Sequence, residues 1–417
     1  MPMTYMTPGV YVEEISAGPR PIQAVGTSTA GFVGVAPKVG AHPGEAWAVN
    51  NWTEFVREFV EEGSPSSQLA HAVFGFFQNG GSRCYIVNIG TDQSIAGGGT
   101  SRRGLQLLEE VDDVAIVAAP GYTDVASYES LLSHCEKLKD RVAILDAPES
   151  VKSIDSLTKV ATSTSSSKSS RKDKEGRTPG GGEGSAAAPS AAESSGLRPR
   201  TSDGGFGSLY FPWITARDVL SPEKLVSVPP SGHIAGIYAR SDSSRGVHKA
   251  PANEIVRGAL GVTYRVTHEE QGVLNQQGVN CIRFFTRDGV RVWGARTLAD
   301  SSSEWRYINV RRLFNMIEES IAQSTRWVVF EPNDRSLWKA IKRDVGAFLT
   351  MVWRDGALMG KTPEEAFFVK CDEETNTSEV IDSGQLVILI GVAPVKPAEF
   401  VIFRISQSAG GADVQGQ

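Results

Sequence analysis

Apolar runs of strand length alternate with helical periodicity between residues 29 and 148, and this alternation predicts a layered α/β unit. The runs TAGFVGVAP, RCYIVNIG, DVAIVAAPG and RVAILDAP are apolar almost throughout. Such runs are typical of parallel strands that are covered on both faces. Trp52, Phe55 and Phe59 share one face of an intervening helix, and SYESLLSHCEKLKD has apolar residues three or four positions apart. The β–α–β order therefore predicts a parallel sheet, which SLYFPWI extends.

The pattern changes in the last third of the chain, where a hairpin and two long amphipathic helices precede further strands. GVNCIRFFTRDGVRVWGARTL predicts two strands that turn at Asp288-Gly289. Helical spacing predicts one helix over 302–324 and a second one capped by Asp334. RWVVFEPND between the helices predicts a short strand, and EAFFVKCD, GQLVILIGVAP and AEFVIFRIS predict three more. This is an α+β arrangement.

These patterns divide the chain into an outer α/β domain and an α+β core domain with a strand-forming arm at each end. The boundaries are an N-terminal arm at 1–26, the α/β domain at 27–271, the core domain at 272–393, and a C-terminal arm and tail at 394–417. Residues 161–207 are rich in serine, glycine, alanine and charge, which predicts a disordered surface loop. The alternative is a basic binding tail formed by KSSRKDK.

Both arms are short strands bracketed by proline and glycine, so an easy local hairpin is not expected for either. The predicted arm strands are Val10, Tyr11, Val12, Glu13, Glu14 and Ile15, and Phe400, Val401, Ile402, Phe403, Arg404 and Ile405. Their predicted hinges are Gly9, Gly18, Pro394 and Pro397. From Met1 to Gly18, a fully extended N-terminal arm reaches roughly 60 Å at about 3.3 Å per residue, which is enough to cross to a neighbouring subunit. Pairing of each arm within its own chain stays open as the alternative.

Charge and cysteine content narrow the function further. The formal charge is −6, from 42 basic and 48 acidic residues, and it lacks the basic footprint of a nucleic-acid-binding protein. The four cysteines, Cys84, Cys135, Cys281 and Cys371, have no paired spacing, which predicts free buried thiols in a reducing compartment. The sequence has neither an apolar run of membrane length nor a secretory leader, so we expect cytoplasmic synthesis.

The search for catalytic motifs predicts no catalytic, cofactor or metal site. His268-Glu269-Glu270 is not followed by a histidine at zinc-ligand spacing, and Ser231 lies outside a G-x-S-x-G turn. We therefore expect Ser231 to cap a helix. His134-Cys135 predicts a buried structural cysteine, because adjacent helical residues point in different directions. An α/β enzyme or ligand-binding protein built on the middle of the chain stays open as an alternative.

Three blocks of sequence resemble the contractile tail sheath family, which includes the sheaths of contractile phages, R-type bacteriocins and phage-tail-like injection systems. They are TPGVYVEEI at the start, VPPSGHIAGIYARSDSSRGVHKAPANE in the middle, and the run from WRYINVRRLFNMIEESI to VAPVKPAEFVIFRI at the end. The resemblance implies an α/β outer domain plus an α+β core domain with exchanged N- and C-terminal β-strand arms, in a two-domain sheath subunit. It also implies that the arms of two subunits join a sheet in a third.

The resemblance further implies a structural, non-enzymatic function. The subunit would polymerise helically around an inner tube and contract from a metastable extended state to drive the tube through a target envelope. The implied partners are copies of itself, the inner tube protein, and baseplate and terminator or cap proteins, without direct contact to nucleic acid or membrane. We expect assembly in the cytoplasm into a phage tail or injection particle. The expected tube contacts are Lys342, Arg343, Arg354 and Lys361. A non-contractile structural tube protein stays open as an alternative.

Overall fold

The computed structural model describes residues 21–91, 94–99, 101–162 and 196–402. The strands are β1 (Ala30–Gly34), β2 (Ala46–Val49), β3 (Cys84–Asn88), β4 (Ile116–Ala118), β5 (Val142–Asp146), β6 (Gly207–Phe211), β7 (Ile214–Arg217), β8 (Leu225–Val228), β9 (Gly261–Val262), β10 (Val279–Phe285), β11 (Gly289–Trp293), β12 (Phe367–Lys370) and β13 (Leu389–Val392). The α-helices are α1 (Trp52–Phe59), α2 (Gln68–Asn79), α3 (Val125–Leu138), α4 (Ser231–Arg245), α5 (His268–Gln276), α6 (Ile308–Ser324), α7 (Arg335–Arg354), α8 (Pro363–Ala366) and α9 (Ser378–Asp382).

Eight strands form one large sheet in the order β11, β10, β6, β5, β4, β1, β3, β2. The inner strands from β10 to β3 run parallel, whereas the edge strands β11 and β2 pair antiparallel with their neighbours. Strands β1, β3, β4, β5 and β6 are buried along their whole length, as expected for a sheet covered on both faces. Their sequences therefore read as continuous apolar runs.

Helices cover both faces of this sheet and create two apolar cores. On one face, α1, α2 and α4 pack around residues such as Phe32, Phe76 and Ile237. On the other face, α3 and α5 enclose a core that contains Leu108, Leu132 and Leu274. Helices α2 and α4 approach closely where α4 carries glycine: a Cβ on Gly232 would lie 2.2 Å from the carbonyl oxygen of Ala72.

A third core belongs to α6, α7 and the small sheet of β12 and β13. Its members include Leu313, Ile317, Ile341 and Phe348, and Ile22 from the N-terminal end of the described chain. Asp334 caps α7 by accepting hydrogen bonds from the backbone N–H groups of Ser336 (2.9 Å) and Leu337 (2.9 Å). The predicted buried stripe of α7 is confirmed, since Leu337, Trp338, Ile341, Val345, Phe348, Leu349 and Val352 are all buried.

The predicted domain boundary at residue 272 divides elements that the structure joins. Strand β10 pairs with β6, and β11 pairs with β10, so the hairpin assigned to the core domain completes the large sheet instead. Sequence pattern alone missed this because a hairpin is predicted from its own turn, whereas its sheet partner lies about 70 residues upstream. The α/β unit therefore continues to Trp293.

Three local predictions are wrong. RWVVFEPND forms a 3₁₀ turn at Arg326–Val328 rather than a strand, and Phe330 beyond it has a φ of 71°. In the sequence, Pro251 and Asn253 also predict the start of a short helix, but residues 251–259 form bends and turns with a bridge from Ile255 to Arg291. The predicted loop at 161–207 ends too late: Arg198 and Ser202 are already buried, and β6 starts at Gly207. Most of that loop lies outside the described residues.

Candidate functional site

Strands β12 and β13 form a two-stranded antiparallel sheet to which the described residues add no third strand. Phe367 pairs with Val392 and Val369 with Ile390, and these four side chains pack against the core of α6 and α7. A two-stranded sheet on its own is only marginally stable in water, and a bare edge is a template for another strand. The core unit therefore offers a site for added strands.

The other face of this sheet exposes two large apolar side chains, with the charged Lys370 opposite one of them, Leu389. Phe368 of β12 is 53% exposed and Leu389 of β13 is 51% exposed. Side chains on an added strand would lie about 5 Å from the side chains opposite them on this face. The face therefore suits an incoming apolar strand.

The N-terminal end of the described chain lies against the C-terminal half of α6. Ile22 is buried in the third core. The backbone N–H of Val25 donates to Ser320 Oγ at 3.0 Å, and that of Gln23 donates to Ser324 Oγ at 3.4 Å. Any N-terminal arm thus departs before Ile22. The predicted strand Val10–Ile15 and the predicted hinges Gly9 and Gly18 lie outside the described residues.

The C-terminal segment is held along most of its described length. Val395 N–H donates to the carbonyl of Ala357 at 3.1 Å, and Pro394 forms a bridge with Leu358. The next fixed point is Glu399, whose carboxylate accepts from Arg296 Nη2 at 2.7 Å. Of the predicted hinges, Pro394 is therefore itself anchored, and Pro397 lies between the anchored residues Val395 and Glu399.

Beyond Glu399 the chain is exposed and pairs with no strand of the described residues. Phe400, Val401 and Ile402 are 72%, 70% and 78% exposed. Three consecutive exposed apolar residues are unusual for a finished surface and indicate a missing partner. The remaining members of this predicted arm strand, Phe403, Arg404 and Ile405, lie outside the described residues.

The four basic residues expected to contact an inner tube are all exposed, but they are not equivalent. Lys342 and Arg343 lie on α7, Arg354 ends that helix, and Lys361 lies in the loop before α8. Arg343 Nε lies 2.9 Å from Asp344 Oδ1, so part of its charge is compensated within the subunit. The other three present their charge to solvent, as a charge-based contact requires.

A buried ion pair joins the α/β unit to the core unit. Arg312 of α6 and Asp242 of α4 have side chains only 3% and 6% exposed, and Arg312 Nη2 lies 2.5 Å from Asp242 Oδ2. Thr27 completes the junction, because its hydroxyl donates to Asp242 at 2.5 Å and its carbonyl accepts from Arg312 at 3.0 Å. Helix α6 is therefore fixed to the outer unit in its N-terminal part.

The carboxyl end of β5, on the edge of the sheet where α/β proteins usually bind ligands, is closed by the chain itself. Asp146 ends β5, and its carboxylate accepts from the backbone N–H (2.8 Å) and hydroxyl (2.7 Å) of Ser231 at the start of α4. Gly121 N–H donates to the same carboxylate at 3.1 Å. The N-terminus of α4, a ready anion site in other proteins, is thus filled by a side chain. The prediction that Ser231 is itself the cap is wrong.

The remaining candidates for chemistry are buried and inert. The four cysteines are free and buried, as predicted, and burial raises the pKa of Cys281 to about 12. His134 is buried too, which together with the charge of Arg141 lowers its pKa to about 4. Within the described ranges, no group of three or more metal-binding side chains is close enough to hold an ion. Likewise, none of the helices described there is long and apolar enough to cross a membrane.

Sequence reasoning missed the cluster that holds the C-terminal segment. Glu399 was not singled out, and neither were its partners Asn275, Arg296 and Tyr307. The one available signal was the position of Glu399, a lone acid between the linker prolines and an apolar strand. Its partners lie 92 to 124 residues upstream, where no local pattern points to them.

Family comparisons cover most of the chain. Residues 105–298 match the phage tail sheath protein central domain, and residues 300–408 match the phage tail sheath C-terminal domain. The tail sheath protein of Vibrio phage KVP40 is 31% identical over 191 residues, which are 45% of this chain and 27% of that protein. The matched region is thus a small part of that relative.

Solved structures match over almost the whole length. The sheath of an extracellular contractile injection system, the PVC sheath complex in its contracted state, has a TM-score of 0.76 at 29% identity and covers 98% of this chain and 99% of its own. The helical sheath of the anti-feeding prophage in its contracted state has a TM-score of 0.72 at 30% identity, with 97% and 100% covered. On the two domain matches and these full-length similarities, the chain belongs to the phage tail sheath family.

Proposed function

We propose that this chain is the structural subunit of a contractile sheath, which polymerises helically around an inner tube through strands donated between subunits. The observation that carries the proposal is the two-stranded sheet of β12 and β13, whose edges receive no strand from the described residues. An exposed apolar segment, Phe400–Ile402, leaves the same subunit. The surface that receives a strand differs from the segment that is donated, so the contact is heterologous. Where such contacts do not close into a ring, their repetition builds a helical tube.

In this mechanism, the extended sheath is metastable and contraction moves each subunit as a nearly rigid body. The buried Arg312–Asp242 pair supports rigid movement, because it holds the outer and core units together. The arms stay paired while subunits rotate and move outward, so that the polymer changes shape without coming apart. Burial of more surface between subunits in the contracted state supplies the driving force and requires no nucleotide.

The proposed partners follow from this assembly: further copies of the chain, an inner tube protein, and baseplate and terminator proteins. Contact with the tube would be made by Lys342, Arg343, Arg354 and Lys361. Solvated charge contacts are weak and break easily, which suits a sheath that must release its tube. Two solved relatives described as contracted sheaths support the same class of function.

A non-enzymatic role is part of the proposal. The N-terminus of α4, where a phosphate or carboxylate could otherwise bind, is filled by Asp146. The buried thiols are protonated at neutral pH, since burial raises the pKa of Cys135 and Cys84 as well. Neither group is available as a nucleophile or an anion-binding site.

Electron microscopy of deletion variants tests strand donation. The full chain should form tubes of regular pitch, and deletion of residues 1–16 should leave a folded monomer. A matched control removes sixteen residues from the serine- and glycine-rich segment, 165–180, and should still form tubes. Normal tubes from the 1–16 deletion would refute the arm mechanism. Contraction itself requires two tube diameters, and a single diameter under all conditions would indicate a static tube instead.

A further inference from the structure

Glu399 is the last residue of the C-terminal segment that is held before the exposed arm begins. We infer that Glu399 is a positioning residue, whose carboxylate fixes the point and direction at which the C-terminal arm leaves the subunit. The inference rests on the proposed function, since it concerns an arm that is donated to a neighbour. It moves the pivot of that arm from Pro394 and Pro397 to the residues after Glu399.

Four hydrogen bonds hold the carboxylate of Glu399. Arg296 binds it with both branches of its guanidinium, Nε to Oε1 at 2.9 Å and Nη2 to Oε2 at 2.7 Å. Asn275 Nδ2 donates to Oε1 at 2.6 Å, and the hydroxyl of Tyr307 donates to Oε2 at 3.1 Å. A bidentate pair with two further donors restricts both the position and the orientation of the carboxylate.

The guanidinium in this cluster is itself held in place, so the cluster differs from an ordinary surface ion pair. The side chains of Arg296 and Glu399 are 12% and 20% exposed. Arg296 Nη1 donates to the carbonyl of Asn275 at 3.1 Å, and its backbone N–H donates to Asn280 Oδ1 at 2.7 Å. Burial acts to raise the pKa of Glu399, but hydrogen bonds from Arg296 and Asn275 outweigh it and lower that pKa, so Glu399 is charged at neutral pH.

The partners of Glu399 come from both units of the subunit. Asn275 lies in α5 and Arg296 follows β11, so both belong to the unit of the large sheet. Tyr307 stands directly before α6 of the core unit. The arm therefore leaves from the junction of the two units, and its direction follows the outer unit as well as the core.

The residues before Glu399 are bonded to the subunit and those after it are exposed, and this difference locates the pivot of the arm. Before it, Pro394 and Val395 are bonded to residues 357 and 358, and the Asn309 side chain reaches the carbonyl of Val395 at 3.4 Å. After it, Phe400, Val401 and Ile402 are each at least 70% exposed. Any change in the direction of the arm between two sheath states must then occur after Glu399.

A distance measurement between spin labels tests this placement. One label would be attached at Thr53→Cys, an exposed position on α1, and the other at Ala398→Cys, an exposed position directly before Glu399. The doubly labelled full chain would be diluted into unlabelled chain. The native cysteines are buried, so labelling is directed to the introduced thiols. The labelled protein with Glu399 intact should give one narrow distance distribution. Glu399→Gln should broaden it by about twofold, because the charge-assisted bidentate pair is lost.

Two controls separate positioning from a general effect on folding. Glu379→Gln removes the same charge from an exposed site on α9 and should leave the distribution narrow. The exchange Arg296→Glu with Glu399→Arg restores an ion pair with reversed polarity and should recover part of the narrowing. A distribution in Glu399→Gln as narrow as in the parent protein would overturn the inference. If the 1–16 deletion still formed tubes, the proposed assembly would be wrong, whereas the positioning role of Glu399 within the subunit would be unaffected.

Discussion

Asp146 is 1% exposed, yet its carboxylate accepts hydrogen bonds from both Ser231 and Gly121. Burial disfavours the charged form and raises the pKa of Asp146 to about 6, although these hydrogen bonds act in the opposite direction. An unfolded chain has an aspartate pKa of about 3.9. Because the folded-state pKa is the higher one, the stability that protonated Asp146 contributes is present below about pH 4 and is lost as the pH rises through about 6.

Asp146→Asn removes this titration. The difference of about two pKa units corresponds to about 3 kcal/mol of pH-dependent stability in the parent protein. We therefore expect the thermal midpoint of the variant to rise relative to that of the parent between pH ~4 and ~6, by roughly 5 °C. Midpoints of both proteins measured side by side across this range check it. A constant gap between the two proteins would mean that Asp146 does not titrate there.

Residue roles could be predicted from the sequence where the partner is near in the chain. Asp334 caps α7, as the sequence predicts. Asn51, one of two adjacent candidates with Asn50, caps α1 in the same local way through Glu54 N–H at 2.8 Å. Ser231 was misassigned because its partner Asp146 lies 85 residues upstream. Glu399 escaped notice for the same reason. Sequence position alone contains no information about which distant carboxylate meets which donor.

Helices and strands, like single residues, could be predicted from the sequence where their cause is local and not where it depends on distant parts of the chain. The buried strands, α6, α7 and the hairpin at Asp288-Gly289 are encoded by periodicity and turn residues that need no tertiary context. Helix α5 was missed, although Thr267 and Glu270 form a complete capping box before it. The apolar sequence RWVVF resembles a strand, but it connects α6 to α7 and lacks a strand to pair with in the described residues. The strand propensity of this sequence is therefore overridden by its position as a short connection between two helices.

The small sheet of β12 and β13 gives a prediction at the scale of an element. Phe368 and Leu389 lie one on each strand of its exposed face, so a strand added at either edge lies beside one of them. Phe368→Asp combined with Leu389→Asp should leave the monomer folded at a cost of roughly 1–3 kcal/mol, because each side chain buries only about half of its surface. The same change should prevent tube formation, since it places charge in an apolar cross-strand contact.

Sedimentation and microscopy of this double variant measure both effects. The matched control is Leu225→Asp with Leu260→Asp, two positions that are 61% and 55% exposed in the outer unit, away from β12 and β13. The control should assemble normally. Regular tubes from the Phe368 and Leu389 variant would show that strand addition does not use this face.

At the scale of the whole molecule, helix α6 relates the two arms to each other. The root of the N-terminal arm, Gln23 and Val25, is bonded to Ser324 and Ser320. The root of the C-terminal arm, Glu399, is bonded to Tyr307. A helix rises about 1.5 Å per residue, so these two ends are about 25 Å apart. Because α6 is rigid and fixed to the outer unit by Arg312, the spacing of the arm roots is set by the subunit and not by the arms.

Arg312→Met tests this rigid connection. Removing one partner of a buried ion pair costs about 3–5 kcal/mol, because Asp242 is left charged and unpaired. The smaller third core should then unfold before the two cores of the large sheet, so that calorimetry shows two transitions, the first below the parent midpoint. Adding Asp242→Leu should recover much of the loss, because no buried charge remains unpaired.

The control for this experiment is Arg343→Gln. Arg343 also pairs with a carboxylate, at 2.9 Å, but its side chain is 57% exposed, so its loss should cost less than about 1 kcal/mol and leave the calorimetric profile unchanged. If Arg312→Met instead unfolds in a single transition at the parent temperature, the pair does not couple the units. The arm roots would then be free to move relative to the outer unit, and contraction would require more than rigid-body movement.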